Sequence, residues 1–298
     1  MIKNILSQKS KQCFTGKARR RLINIATCGL ILGFTVAVNS SSAMEEDRND
    51  QRPTIVVTTT MLEAAVRDAL GHSDKLRIIR LLPPGGCPGH FDLSPRALPL
   101  LRQARYIIRH DFQAALDRKI AHLGADDLES IAVKGHGSLL IPENYQRLVK
   151  TITKMLINHG LLPAPPPDTE IELPAEFLEK MLELETLAES HRREFSGRPV
   201  IASLQQKAFC EWLGYEVKGE LARPENTTPG NLRELVGTEA SIVIANLQSD
   251  SGTGRTVAGR KGKSLAIISN FPNAAGYGQG YFELFKANLR QLEAARDE

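Results

Sequence analysis

The run LLPAPPPDTE, with LPAEFLEKMLELETLAESHRREF behind it, constrains this chain more than any other stretch. Its prolines lack amide donors and stop any helix that reaches them. The segment that follows has no glycine until Gly197, and sets Phe177, Met181, Leu184 and Leu187 at three- and four-residue spacings. That pattern predicts one helix of about six turns. On both sides of it, short β-branched runs alternate with amphipathic stretches. Before it, TIVVTTT, LRIIRLL, RYIIRH and ESIAV read as strands, and MLEAAVRDAL, SPRALPLLRQA, DFQAALDRKIAHL and PENYQRLVKTITKMLINHG as helices. After it, the strands are RPVIASL, YEVKGEL, SIVIANL and SLAIIS. Between and behind these come helices over QKAFCEWLG, TPGNLRELVGTEA, TVAGRKG (a short one) and GYFELFKANLRQLEAARDE. Alternation of this kind predicts an α/β fold, with parallel sheets covered on both faces. The 298 residues exceed what one hydrophobic core usually organises. The expected architecture is two lobes, each a parallel sheet flanked by helices, joined by one long linking helix. Such a joint favours a small tilt on ligand binding over wide hinge closure.

The first 43 residues stand apart. They carry seven basic residues and no acid, then the apolar run LINIATCGLILGFTVAV, then NSSSA. This is the layout of a secretory signal peptide cut after Ala43. At about 20 apolar residues for a span, the run is short for a retained membrane anchor. The expected organisation is a signal peptide over 1–43, a flexible mature N-terminus over 44–52, an N-terminal lobe over 53–167, the linking helix over 168–196 and a C-terminal lobe over 197–298. The whole chain carries a net charge of +4, and with the seven basic residues removed it carries −3. A nucleic-acid partner then has no basic stripe to bind. Of four cysteines, Cys87 and Cys210 remain in the exported chain, where disulfides can form.

In parallel α/β sheets ligands bind beyond the carboxyl ends of the strands. Polar residues gather at those positions: Gln205 and Gln206 after VIASL, Asn246 and Gln248 after SIVIA, and Asn270 after SLAIIS. The loop PPGGCPGHFDL follows LRIIRLL at the same end and sets Cys87 and His90 three residues apart on a Pro-Gly turn. A thiolate and an imidazole suit zinc or copper. A histidine that braces the loop through a backbone carbonyl is the equal alternative. His136, flanked by glycines in KGHGSLLIPEN, can reach the same rim, whereas His72, His110, His122, His159 and His191 read as solvated. Three readings stand for Cys210: a further ligand, a disulfide partner of Cys87, or a buried apolar thiol beside Trp212 and Leu213, the last being favoured. SGTGRTVAGRKGKS ends in Gly-Lys-Ser but lacks the phosphate-loop spacing, so it reads as a glycine-rich solvated loop.

PGGCPGHFDLSPRALPLLRQARYII resembles the first metal-ligand segment of the substrate-binding proteins of zinc and manganese ABC importers, the group with a rigid linking helix. The resemblance covers nearly all of residues 53–294. It implies a periplasmic or extracytoplasmic, monomeric binding protein, not an enzyme, that delivers a metal to an importer's membrane subunits. By that resemblance His90 falls on the first ligand and His136 near the second. Gln206 stands where the third ligand, a histidine, is usual, and Asn270 where the fourth, an acid, is usual. Two strong ligands are thus neutral amides, and Cys87 is the residue able to restore charge and softness. The expected set is Cys87, His90 and His136 for the metal, zinc before copper, with Gln206, Asn246 and Asn270 as further contacts. Two rivals remain. One keeps the binding fold and takes a small polar or metal-containing organic ligand. The other, an exported metal-dependent hydrolase, lacks a placed general base, since Asp92 more simply caps a helix starting at Ser94.

Overall fold

The computed structural model describes residues 51–298 apart from 91, 92, 94–96, 123, 125, 126 and 296–298, and the His90 side chain also falls outside the described residues. The signal peptide, most of the expected mature N-terminus and the cap at Asp92 therefore lie outside them. No helix among the described residues is long and apolar enough to cross a membrane.

Strands β1 (Thr54–Val57), β2 (Arg77–Arg80), β3 (Tyr106–His110) and β4 (Glu129–Val133) form one sheet in the order β2-β1-β3-β4. A second sheet holds β5 (Pro199–Ser203), β6 (Glu216–Leu221), β7 (Ile242–Asn246) and β8 (Ser264–Ile268) in the order β6-β5-β7-β8. Every pairing is parallel. The second sheet thus repeats the order of the first, as the restarted alternation predicts. In each, the connections leaving the two central strands run to opposite sides, so the switch points lie at the carboxyl ends of β1 and β3 and of β5 and β7.

The helices are α1 (Thr60–Leu70), α2 (Leu98–Leu101), α3 (Ala115–His122), α4 (Pro142–Asn158), α5 (Ala175–Phe195), α6 (Lys207–Trp212), α7 (Pro229–Gly237), α8 (Ser251–Lys261) and α9 (Gly280–Ala294). The linking helix α5 begins at Ala175 instead of 168, because the proline-rich run ahead of it is extended and Pro174 serves as its N-cap. Its first turn carries Glu176 and its last turn Arg192 and Arg193, which complement the helix dipole. The buried stripe is Phe177, Met181, Leu184, Ala188, His191 and Phe195, whereas Leu187 is exposed.

Successive strand residues enter different cores. Ile55, Val57 and Ile108 of the first sheet, with Val200, Ala202 and Ile244 of the second, share one central core with α1, α4, α5, α6 and α9. Val56 and Ile107 turn to a separate outer core, and Ile201, Val243 and Ala245 to another. Strands apolar on both faces are what covered parallel sheets require. The central core crosses the seam between the sheets, and residues Asp50–Glu298 form one compact unit. At the seam Tyr145 and Tyr281 stack at 3.6 Å, and Tyr281 Oη donates to Leu140 O at 3.0 Å.

Two expectations fail here for stated reasons. The run from Ser251, read as a solvated loop and, over TVAGRKG, also as a short helix, is helix α8, which bears out the helix and extends it back to Ser251, with Gly254, Val257 and Ala258 buried and Gly262 closing it in the left-handed conformation. Its glycines carry a propensity penalty of about 1 kcal/mol each, but packing requires one of them. A Cβ on Gly254 would lie 2.5 Å from Ala245 Cβ, so the glycine lets α8 sit close on β7. His110 and His191, read as solvated, are buried. His191 Nε2 and Tyr215 Oη are hydrogen-bonded at 2.9 Å, its ring stacks on Phe195 at 4.3 Å, and burial with nearby Arg198 lowers its pKa to about 4.

Candidate functional site

The loops leaving the carboxyl ends of both sheets enclose a cleft of about 610 Å³. Its first wall comes from the Pro-Gly loop (Cys87, Pro88, Gly89), the end of β3 and the turn after it (His110, Asp111, Phe112), and the segment after β4 (Gly135, Gly137, Ser138, Leu139, Leu140). Its second wall comes from the end of β5 and α6 (Leu204, Gln205, Ala208), Arg223 after β6, Asn246, Gln248 and Ser249 after β7, and Asn270 and Phe271 after β8. Phe112 and Leu204 are large apolar side chains left 64% and 56% exposed at this cleft, one on each wall.

Cys87 lines the cleft as a partly buried free thiol. Cys210 is free too, fully buried in the central core, and burial pushes its thiol well up. The favoured reading of Cys210, a buried apolar thiol, is thus the one found. His136 is exposed, and its neighbours Gly135 and Gly137 line the cleft. His110 is committed elsewhere. Its Nε2 and Thr59 Oγ1 are hydrogen-bonded at 3.0 Å, its backbone N donates to Gln113 Oε1, and burial lowers its pKa to about 4. Among the described residues no three His, Cys, Asp or Glu side chains gather into a group that could hold a metal ion.

The amides divide into three kinds. Gln248 is fully engaged, its Nε2 donating to Ser269 Oγ at 2.8 Å and its Oε1 accepting from Asn270 N at 3.1 Å, so it braces the wall. Gln206 is the N-cap residue of α6, 0% exposed and not part of the lining, and both its side-chain atoms lack partners. Asn246 is 1% exposed and does line the cleft. Its Oδ1 accepts from Gln248 N at 2.9 Å and Ser249 Oγ at 3.2 Å, while Nδ2 has no partner.

Two charged residues of the lining were missed by sequence reasoning, Asp111 and Arg223. Both lie just beyond strand ends, the same positional rule that flagged the amides. A Cβ on Gly89 would meet both Nη atoms of Arg223 at 3.8 Å and Cys87 Sγ at 3.9 Å, so the guanidinium from the second sheet reaches the Pro-Gly loop of the first. Arg223 Nη1 also lies 3.9 Å from exposed Glu225. Behind Asn246, buried Asp250 accepts from Ser203 Oγ at 2.5 Å, Asn246 N at 2.7 Å and Ser249 Oγ at 2.9 Å, and burial raises its carboxyl above the usual range. A bare divalent ion about 6 Å from a guanidinium is repelled by up to roughly 5 kcal/mol at an effective dielectric constant of about 20.

Neither protein-family profiles nor curated proteins give a match to this chain. Solved structures do. A mutant of the laminin-binding adhesin of Streptococcus agalactiae superposes with a TM-score of 0.64 at 14% identity, over 81% of this chain and 98% of that one. The manganese-bound periplasmic metal-binding protein of Candidatus Liberibacter asiaticus gives 0.60 at 10% identity, over 82% and 100%. ZnuA gives 0.60 at 15% identity, over 82% and 99%. The unaltered adhesin is described as bifunctional, with adhesin and metal-transporting activity. At these identities the likeness is one of fold, and the fold is the two-sheet α/β architecture that the strand–helix alternation and the linking helix predict.

Proposed function

We propose that this chain is an extracytoplasmic solute-binding protein that captures a transition metal, zinc before copper, in the cleft between its sheets and hands it to the membrane subunits of an ABC importer. The observation that carries the reading is the position of Cys87, a free thiol on the wall of the cleft at the carboxyl ends of both sheets. The fold it shares with solved metal-binding proteins adds support. In this reading Cys87, His90 and His136 supply the soft donors, and Asn246 and Asn270 add polar contacts. The protein acts as a monomer by binding and release, with export through its signal peptide, and no step of bond chemistry is required of it.

The test is metal titration of the chain lacking residues 1–43, kept reduced, with elemental analysis of the purified protein. Cys87→Ser and His90→Ala are each expected to weaken zinc binding by about 100-fold or more with unfolding unchanged, because a serine hydroxyl supplies neither the thiolate's charge nor its polarisability. Zinc affinity unchanged by Cys87→Ser would remove the thiol from the site.

A further inference from the structure

The cleft is far larger than an ion, and its two walls differ in kind. Its volume of about 610 Å³ lies in the range of pockets for small organic ligands, whereas a single water occupies about 30 Å³ of liquid. The first wall includes the thiol-bearing Cys87 and the acidic Asp111. The second presents the guanidinium of Arg223 and the amides of Gln205, Asn246 and Asn270. Asn246 Nδ2 is a buried donor without a partner, and its orientation is fixed because Oδ1 is held by Gln248 N and Ser249 Oγ. Buried polar groups in folded proteins are nearly always satisfied, so an orphan donor on a cavity wall marks where an acceptor is missing.

We infer that the second wall is an anion subsite, and that the metal enters as a complex with a small carboxylate-bearing chelator. The inference rests on the metal reading above and extends it to the form of the cargo. Arg223 offers the planar fork that matches a carboxylate, and Asn246 Nδ2 supplies a second donor to the same group. The chelator's negative charge offsets the repulsion that the guanidinium would exert on a bare cation. Asp250, buried behind Asn246, already accepts three hydrogen bonds from the protein. It therefore leaves the donors of the wall to the ligand. Cys87, on the loop that the guanidinium reaches, remains for the metal beside the chelator.

Calorimetric titration with zinc alone, with citrate or oxalate alone, and with each chelator premixed with zinc tests this. The premixed complex is expected to bind at least 10-fold tighter than either component. Arg223→Gln should weaken the complex by at least 10-fold while leaving zinc alone unchanged or tighter. Asn246→Asp keeps the Oδ1 acceptor and replaces the donor with a negative oxygen, so it should weaken the complex similarly. Arg223 is partly exposed, so its variant reports even if Asn246→Asp melts early. Zinc binding tightly by itself, with both chelators merely competing and Arg223→Gln without effect, overturns the anion subsite and leaves the metal reading standing. Chelator binding alone, lost in Arg223→Gln and indifferent to zinc, supports the subsite and removes the metal reading. Absence of binding by all of these probes overturns both.

Discussion

The two sheets meet in two places, one an apolar seam and the other a cleft of mixed apolar and polar lining. At the seam, Tyr145, Phe177, Tyr281 and Phe285 are fully or nearly fully buried, and the polar atoms of the two tyrosines are satisfied. Tyr145 Oη donates to Asp68 at 2.5 Å, and Tyr281 Oη donates to Leu140 O. The cleft lining mixes apolar side chains such as Phe112, Leu204 and Phe271 with Cys87, Asp111, Arg223 and Asn246, whose amide donor has no partner. A continuous apolar seam holds the sheets at a fixed separation, and that separation keeps the cleft open, with the Asn246 donor left unpartnered on its lining. The difference teaches that rigidity and recognition are assigned to separate contacts of the same two sheets. It also gives the expectation of small tilt over wide closure a second basis besides α5, since hinge motion would have to part a close-packed core.

The comparison is broken most severely at the seam. Tyr281→Ala removes a fully buried ring from its stack on Tyr145, and by analogy with other large-to-small core changes it is expected to lower unfolding free energy by about 3–5 kcal/mol. Urea denaturation measures this, and a loss below about 1 kcal/mol would show that the sheets do not depend on the seam.

A smaller effect comes from pH. His110 and His191 have folded-state pKa values lowered to about 4 from the ordinary 6.5. Between those values the unfolded chain binds more protons than the folded one. Stability is therefore complete above about pH 6.5 and falls toward pH 4, by about 1.4 kcal/mol per pH unit for each histidine. Asp68 and Asp250, whose carboxyls burial raises, act in the opposite sense and blunt the lower part of that window. His191→Phe should shallow the slope of stability against pH between 6.5 and 5 by about half. An unchanged slope would mean that His191 titrates normally.

The smallest effect sharpens the boundary between seam and cleft. Gln206 is fully buried with both amide atoms unpartnered, yet it does not line the cleft. Gln206→Leu is expected to raise stability by about 1 kcal/mol, because an apolar group of similar volume removes an unsatisfied pair. Cargo affinity should stay as it was. Loss of cargo binding in this variant would return Gln206 to the ligand set that its alignment suggests.

Much of the fold was legible because it is written in local period. Apolar runs such as TIVV and SIVIA could only be buried strands, and the stripe from Phe177 to Met181 and Leu184 could only be a helix facing a core. The strand-end rule found Cys87, Asn246, Gln248 and Asn270 without coordinates, because chain direction alone decides at which end a loop lies. It could have found Asp111 and Arg223 by the same step. Tertiary structure decided what period and position cannot carry. It extended the short helix expected over TVAGRKG back to Ser251 through glycines that read as loop, since contact of Gly254 with Ala245 outweighs propensity. It buried His110 and His191, which sequence cannot distinguish from solvated histidines because burial depends on distant partners such as Thr59 and Tyr215. It also withdrew Gln206 behind the wall while leaving Asn246 on it. The sequence determined which residues stand at the ends of the strands. Which of those side chains keep an unspent charge or donor toward the cleft depends on neighbours up to half the chain away, and those contacts exist only after the sheets have packed.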